Sequence, residues 1–207
     1  WDGPSGAVTL YFNSIIIRAK NSTGNIGFMP VGSPKLGKDV ANPLLDFHFI
    51  ADPTAIEYDG RLYVYGTNDH QQYEAGTPTN SYEAINSLVV ISTDDMVNWT
   101  YHGLIDTKSV APWISASWAP SIISKVQADG STLFSLYFSN SGIGSGVIQS
   151  ESPLGPWTSP LNTNLTDGFD PGAVVDDNGD AWLAYGGGVG KIVKLGDDLH
   201  SIVAGPV

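Results

Sequence analysis

Short runs of apolar and aromatic residues, separated by polar turns, dominate the chain from about residue 50 onward. Three stretches share one order: a proline, a small residue, an apolar strand, an Asp-Gly or Asn-Gly turn, and an aromatic-rich strand. They are DPTAIEYDGRLYVYGT from Asp52, APSIISKVQADGSTLFSLYFSN from Ala119, and DPGAVVDDNGDAWLAYGG from Asp170. Asp-Gly and Asn-Gly pairs suit tight hairpins because they tolerate positive φ. Helical periodicity is almost absent. The pattern therefore predicts an all-β fold with a repeated hairpin.

A third and a fourth strand are predicted after each hairpin, in SLVVISTDDMVNWTYHG, GVIQSESPLGPWTSP and GKIVKLGDDLHSIVAGP. Trp99 and Trp157 occupy equivalent places in the first two of these segments, and we expect them to pack between neighbouring sheets. Four-stranded units that recur at intervals of about 50 to 70 residues indicate the blades of a β-propeller. The polar stretch HQQYEAGTPTNSYEA, between Asp69 and Ile85, is predicted to be a long loop of the first blade.

Three blades do not close a propeller, since closed rings have about four to eight blades. An open arc would expose apolar sheet faces, so we expect the chain to be part of a larger fold. Residues 42–207 are predicted to supply blades one to three. Residues 1–41 are predicted to form a separate strand and loop segment that closes or flanks the ring.

The charge balance narrows the classes of partner. The 207 residues include 9 Lys and Arg and 21 Asp and Glu, which gives a net charge of -12. This balance argues against nucleic acid and anionic membranes, because phosphate binding needs clustered Lys and Arg. Neutral ligands such as sugars are compatible with this charge. The chain has no cysteine, begins without Met and carries sequons at Asn21, Asn98 and Asn164. These features favour a secreted, extracellular glycoprotein.

Two aspartates are the candidates for chemistry. Asp52 and Asp170 begin the inner strands of the first and third blades, and Ala119 takes that place in the second. Asp-Pro is a common turn pair, but a purely structural repeat would be expected to keep the aspartate in all three blades. Inner strands line the channel of a propeller, so both carboxylates would face one funnel. That arrangement suits glycoside hydrolysis, in which a carboxylate activates water and a protonated acid serves the leaving group.

The stretches NPLLDFHFIADPTAIEYDGRLYVYGTND, WAPSII and FDPGAVVDDNGDAWLAYGG, in this order, resemble glycoside hydrolase family 43 over roughly residues 42–207. The resemblance implies a five-bladed propeller and an inverting mechanism. It also implies three carboxylates: a base aspartate in the first blade, a second aspartate in the third and an acid glutamate in the fourth. By this resemblance Asp52 is the general base. Asp170 then orients the acid and raises its pKa through like-charge proximity.

The general acid has no counterpart in this sequence. Glu74 and Glu83 lie in the predicted long loop and Glu151 in an outer-strand turn, so none of them fits. The resemblance puts the acid about one blade beyond Val207, and the chain alone would be an incomplete enzyme. Three explanations stay open: cleavage after about Val207, a separate polypeptide with the remaining blades, or a truncated chain. We favour two associated polypeptides, because a lone arc would be poorly soluble.

Further residues are candidates for substrate binding. Trp118, just before Ala119, would stack on a sugar ring, with core packing as the alternative. Phe49 and His48 would wall the same pocket, although His48 could equally be a buried, hydrogen-bonded histidine. The strand-end residues Asn68, Asp69 and Asn140 would contact sugar or cap turns.

The remaining aspartate clusters have a structural interpretation. Asp176, Asp177 and Asp180 are expected to serve a hairpin turn. A Ca²⁺ site needs several convergent oxygen ligands, and these clusters do not show such a spacing. No cofactor is therefore expected to be required, and a structural calcium is not supported by this chain.

The sequence thus predicts a secreted, inverting glycoside hydrolase of β-xylosidase or α-L-arabinofuranosidase type. Its substrates would be oligosaccharides or polysaccharides, from which it releases xylose, arabinose or both from plant cell-wall pentosans. The alternatives are an endo-arabinanase and a non-catalytic carbohydrate-binding propeller fragment.

Overall fold

Eleven strands dominate the part of the chain that the computed structural model describes, which comprises residues 44–45, 47–76 and 82–207. The predicted segment 1–41 lies outside it. The strands are β1 (Ile50–Tyr58), β2 (Arg61–Asn68), β3 (Leu88–Thr93), β4 (Thr100–Ile105), β5 (Trp118–Val126), β6 (Thr132–Ser139), β7 (Ser145–Ser150), β8 (Phe169–Val175), β9 (Ala181–Gly186), β10 (Lys191–Leu195) and β11 (Ile202–Ala204). Two short helices, α1 (Asp69–Glu74) and α2 (Thr107–Val110), and a 3₁₀ turn (Ser141–Ile143) connect strands. The predicted all-β class is confirmed.

The strands form three antiparallel sheets in chain order. Sheet I contains β1 to β4, sheet II contains β5 to β7, and sheet III contains β8 to β11. In sheet II a single bridge between Gln149 and Thr158 stands where a fourth strand was predicted. Pro153 and Pro156 occupy this segment, and proline has no backbone N–H to donate to a ladder. The prediction of a fourth strand is therefore correct for sheets I and III and wrong for sheet II.

Local turn chemistry sets the hairpins. Asp59 and Gly60 connect β1 to β2 with φ of 50° and 74°, as a two-residue hairpin loop requires. In sheet III, Asp176 Oδ1 accepts hydrogen bonds from the backbone N–H groups of Asn178 and Asp180, at 2.9 and 3.0 Å. Asp180 itself pairs with Lys194 at 2.6 Å. These aspartates lie in and around the turn, as the sequence predicted.

The segment predicted as a long loop begins with helix α1. Gln71 holds this helix to the chain that leads into β3. Its Oε1 accepts hydrogen bonds from the Asn86 N–H at 3.0 Å and the Ser87 hydroxyl at 2.8 Å. The loop prediction is wrong for residues 70–74, because a six-residue helix is too short to show a helical period in the sequence.

Apolar side chains fill the space between consecutive sheets. One core, with Phe134 and Leu136 at its centre, lies between sheets I and II, and a second, with Leu183 and Val193, lies between sheets II and III. Trp157 packs against the first core, edge-on to Tyr65 at 6.3 Å. Trp99 is buried on the other face of sheet I, in a cluster with Leu45, Val89 and Ile91. The expected packing between neighbouring sheets is therefore correct for Trp157 and wrong for Trp99, whose cluster contains no described residue of a second sheet.

Candidate active site

A cleft of about 470 Å³ opens where the inner strands β1, β5 and β8 begin. Strand starts and two nearby loops supply its walls. The lining residues are Ala51, Asp52, Thr67, Asp69, Tyr82, Ile85, Trp118, Ala119, Gly142, Phe169 and Asp170. The structure therefore brings the two predicted catalytic aspartates into one cleft, together with the predicted contacts Trp118 and Asp69.

The residue before the proline of each inner strand has a left-handed backbone. Asp52, Ala119 and Asp170 have φ of 48°, 41° and 53°. Each of the three precedes a proline, which restricts its backbone further. Positive φ is uncommon outside glycine, and such strain persists only where the surrounding structure determines it.

Each strained residue coincides with a shift in strand register. The shifts fall between Ala51 and Thr54, between Trp118 and Ser121, and between Phe169 and Gly172. A β-bulge bends its strand and re-aims a side chain. Because Ala119 keeps the bulge without a carboxylate, the bulge belongs to the architecture, and the carboxylates of Asp52 and Asp170 are additions to it.

Hydroxyl groups from the preceding sheet hold the bulges of sheets II and III. The Asp170 N–H donates to Ser139 Oγ at 2.8 Å, and the Ala119 N–H donates to Thr67 Oγ1 at 2.8 Å. Ser139 Oγ also donates to Asp170 Oδ1, at 3.4 Å. The Asp170 carboxylate is thus oriented from sheet II as well as by its own strand.

The electrostatics of the cleft favour a neutral ligand. Among the described residues that line it, none is Lys or Arg, whereas Asp52, Asp69 and Asp170 carry carboxyl groups. Burial raises the pKa of Asp69, and the neighbouring Asp52 charge raises it further. An anionic ligand would meet uncompensated negative charge, so an uncharged sugar fits this cleft better than a phosphorylated one.

Trp118 forms a fixed wall of the cleft. Its Nε1 donates to the Tyr82 backbone oxygen at 2.9 Å, and the two rings are 6.0 Å apart at an interplanar angle of 69°. Sequence reasoning missed Tyr82 and Phe169 as lining residues. Phe169 could have been found from the repeat, since it precedes Asp170 as Trp118 precedes Ala119. Tyr82 lies in a loop that carries no such signal.

Phe49 and His48 were predicted to wall the carboxylate pocket, with a buried, hydrogen-bonded histidine as the alternative for His48. Neither residue lines the cleft. His48 Nε2 is hydrogen-bonded to the Tyr101 hydroxyl at 2.8 Å, and its ring lines a separate, mainly apolar cavity of about 390 Å³ on the outer face of sheet I. Phe49 is 57% exposed and contacts His70 and Tyr73. Leu44 and Leu45 line this outer cavity together with His48.

Asn68 and Asn140, which were predicted to contact sugar or cap turns, do not line the cleft either. Each residue is 3% exposed, and each side chain is hydrogen-bonded to a neighbouring loop. Asn68 Nδ2 donates to Ser87 Oγ at 3.0 Å. Asn140 Oδ1 accepts from the Ser115 N–H at 2.7 Å, and its Nδ2 donates to Asn164 Oδ1 at 3.0 Å. Both residues fix the loops that follow their strands.

The glutamates of the described chain lie outside the cleft. Glu74 and Glu83 are exposed, and Glu151 lines a different cavity beside Gln149. No described group of three or more His, Asp or Glu side chains is placed to hold a metal ion. The structure supplies no helix, within its described ranges, with the length and apolar character needed to cross a membrane.

Two of the three sequons lie in the described chain. Asn98 Nδ2 donates to Asp95 Oδ2 at 2.7 Å, and Asn164 Nδ2 donates to the Ile143 oxygen at 3.3 Å. Asn21 lies outside the described residues. Glycosylation at these positions and secretion both stay predictions.

Comparison with known proteins decides the family. The sequence profile of glycosyl hydrolases family 43 matches residues 40–206. The chain belongs to glycosyl hydrolase family 43. The resemblance seen in the sequence motifs is thereby confirmed.

Two bacterial relatives are named arabinoxylan arabinofuranohydrolase. The one from Bacillus subtilis (strain 168) is 41% identical over 201 residues, which cover 79% of this chain and 39% of the relative. The one from Paenibacillus polymyxa is 36% identical over 199 residues, which cover 79% of this chain and 31% of the relative. This family 43 chain therefore spans well under half the length of these relatives.

Solved structures agree with this assignment. The Bacillus subtilis family 43 arabinoxylan arabinofuranohydrolase, solved in complex with cellotetraose, superposes with a TM-score of 0.73 at 40% identity, over 79% of this chain and 41% of that chain. An α-L-arabinofuranosidase from Clostridium thermocellum superposes with a TM-score of 0.64 at 38% identity, over 78% and 56% of the two chains. The three sheets are consistent with part of a family 43 propeller.

Proposed function

We propose that this family 43 chain provides the general base of an inverting glycoside hydrolase that releases arabinose from arabinoxylan, with xylosidase activity as a secondary specificity. One observation carries the proposal: the same strained bulge presents Asp52 and Asp170 to a single cleft whose described lining residues include no Lys or Arg. The names of the two bacterial relatives support arabinoxylan as the substrate.

In the proposed reaction Asp52 is the general base. Its carboxylate takes a proton from a water molecule whose oxygen attacks the anomeric carbon. The bond from that carbon to the leaving oxygen breaks as a glutamic acid protonates the leaving oxygen. Asp170, oriented by Ser139 at 2.8 Å, stands on the opposite inner strand and would orient this acid and raise its pKa by like-charge proximity. Trp118 would hold the sugar ring between them.

The acid belongs to the part of the propeller that these 207 residues do not supply. In the proposed assembly further blades complete a five-bladed ring, either on a second polypeptide or on a continuation of the same one. The outer face of sheet III supports this assembly, because Val174 and Ile192 on it are 54% and 45% exposed. A neighbouring blade would cover such apolar side chains.

The test compares Asp52→Asn with Asp177→Asn, a matched change of an exposed aspartate in the β8–β9 turn. Arabinose release from arabinoxylan is measured in the assembled enzyme, with the anomeric form of the product followed by NMR. Asp52→Asn is expected to lower kcat by about 10³-fold, within the range of general acid–base catalysis, at unchanged melting temperature. Asp177→Asn is expected to keep full activity.

Two results would contradict the proposal. Retained turnover in Asp52→Asn would remove the residue from the role of base, and release of the retained anomer would exclude the inverting mechanism. Oligosaccharide binding without hydrolysis in every assembled preparation would instead favour a non-catalytic binding propeller, which the position of the described glutamates outside the cleft also allows.

A further inference from the structure

Three aromatic rings meet beside the cleft and form a surface that we call the aromatic shelf: Phe49, His70 and Tyr73. Phe49 and His70 are 5.4 Å apart, Phe49 and Tyr73 5.5 Å, and His70 and Tyr73 5.6 Å, measured between ring centroids. Each ring therefore contacts the other two, at separations typical of aromatic pairs.

The shelf is exposed and adjoins the cleft without being part of it. Phe49 and Tyr73 are 57% and 70% exposed, and no shelf residue lines the cleft. Asp69, which directly precedes His70, does line it. Helix α1 therefore carries one residue of the cleft wall, Asp69, together with two rings of the shelf, His70 and Tyr73.

The shelf is held in place from below. The His70 N–H donates to the Phe49 carbonyl oxygen at 3.2 Å, which ties helix α1 to the chain before β1. His48 lies edge-on to His70 at 5.0 Å and is itself hydrogen-bonded to Tyr101 at 2.8 Å. Burial, followed by the neighbouring His70, lowers the pKa of His48, which favours the neutral form of the supporting ring. The exposed rings are therefore preorganised, which reduces the entropy lost on binding.

A pyranose ring matches this surface in shape and polarity. It offers a flat C–H face and a rim of hydroxyls, whereas the shelf offers aromatic faces with a phenolic hydroxyl and the Glu74 carboxylate at its edge. Glu74 lies 3.5 Å from His70 Nε2. Large exposed apolar side chains grouped in this way mark binding sites.

We propose that the aromatic shelf binds a pyranose residue of the polysaccharide main chain while a side-chain sugar occupies the cleft with Asp52 and Asp170. This proposal rests on the proposed function, because it names which part of the substrate lies outside the catalytic cleft. It predicts a preference for main-chain oligosaccharides over small aryl glycosides.

The test measures binding of linear xylohexaose by isothermal titration calorimetry, without reference to turnover. Tyr73→Ala and Phe49→Ala are each expected to weaken binding about tenfold, equivalent to about 1.4 kcal/mol. Tyr73→Phe keeps the ring and is expected to bind within twofold of the unmodified chain. Val126→Ala, at a similarly exposed apolar residue (67%) at the end of β5, is the control and is expected to change nothing.

Failure of this proposal is separable from failure of the proposed function. Asp52→Asn is expected to bind xylohexaose normally. The xylohexaose affinities of the shelf variants therefore test the shelf even if Asp52 is not the general base. Xylohexaose affinity within twofold of the unmodified chain in both Tyr73→Ala and Phe49→Ala would overturn the shelf as a sugar site. An equal loss in Tyr73→Phe and Tyr73→Ala would overturn stacking as the mode of binding.

Discussion

The Ser139 hydroxyl links the fold to the proposed chemistry, and Ser139→Ala tests that link. Ser139 lies at the end of β6 and is 0% exposed. Its oxygen accepts the Asp170 N–H at 2.8 Å and donates to Asp170 Oδ1 at 3.4 Å. The substitution removes both contacts from a residue that is held at a φ of 53°. We therefore expect a loss of stability and a displaced carboxylate.

The two effects have different expected sizes. A buried backbone N–H that loses its partner costs about 1–3 kcal/mol, and water can reach the exposed Asp170 in part, so we expect about 1–1.5 kcal/mol. For a domain of this length that lowers the melting temperature by about 2–6 °C. A catalytic group displaced by about 1 Å costs about 100-fold in rate, so kcat should fall by about 10- to 100-fold.

Ser121→Ala is the matched control. Ser121 is 8% exposed, and its hydroxyl accepts the Ala173 N–H at 2.9 Å, which links the inner strands β5 and β8. The same atoms are lost, but Ala173 carries no carboxylate. Calorimetry should show similar melting temperatures for the two variants, and arabinose release by the assembled enzyme should fall in Ser139→Ala alone. Equal turnover in the two variants would refute the argument that Ser139 orients Asp170.

Two further outcomes follow from glycine sterics and from buried histidines. A Cβ at Gly168 would overlap the carbonyl oxygen of Gly186, so urea unfolding of Gly168→Ala should show a loss of about 3 kcal/mol, whereas Gly172→Ala, with open space around it, should be nearly neutral. Burial lowers the pKa of His48 and of His102, with His70 and Arg61 as the next causes. The unfolded chain therefore binds protons first, and the free energy of unfolding should fall as the pH drops below about 6.5. His48→Phe should flatten this slope between pH 5 and 7, and an unchanged slope would contradict it.

The sequence predicted the hairpins well because their signals are local. Asp59-Gly60 and the aromatic run after it determine a hairpin almost alone. The bulges were not predictable in this way, since the conformation of Ala119 depends on a hydroxyl from Thr67, which is 52 residues away in the chain. Helix α1 was missed because it is held by Gln71 and its contacts with the segment before β3 rather than by a periodic apolar face.

Cleft residues were predicted where a sequence repeat marks them, and missed where the direction of a side chain depends on a neighbour. Asp52 and Asp170 were found because the Asp-Pro pair recurs at the start of two inner strands. Phe49 was expected in the same pocket because it is only three residues from Asp52. The chain bends between them, so closeness in sequence does not place both side chains on one side. Asn140 ends its strand near the cleft, yet its side chain serves the Ser115 backbone.

Sheet III lacks polar contacts that sheets I and II make to the next sheet, although all three sheets share the sequence repeat. The same two kinds of hydrogen bond link sheet I to sheet II and sheet II to sheet III. They come from two residues that are paired across the first two strands of sheet I, and from the equivalent pair in sheet II. Tyr65 donates its hydroxyl to the Pro153 oxygen at 2.6 Å, and Tyr137 donates to the Leu199 oxygen at 2.6 Å. The register pairs Tyr65 with Thr54 and Tyr137 with Ser121, whose hydroxyls accept from the next inner strand.

In sheet III none of these positions carries a hydroxyl. Ala184 stands where sheets I and II have a tyrosine. Gly186 stands where they have the hydroxyl that holds a bulge, and Gly172 where they have the hydroxyl of the inner strand. A blade packed on this face would meet Ile192 and Val174 and could not receive the contacts that join the other sheets. The bulge of Asp170 is fixed from sheet II, but a carboxyl group on the next inner strand would have no such hydroxyl to hold it. In the proposed mechanism the third carboxylate is therefore oriented by its own blade and by Asp170 rather than by a hydroxyl of sheet III.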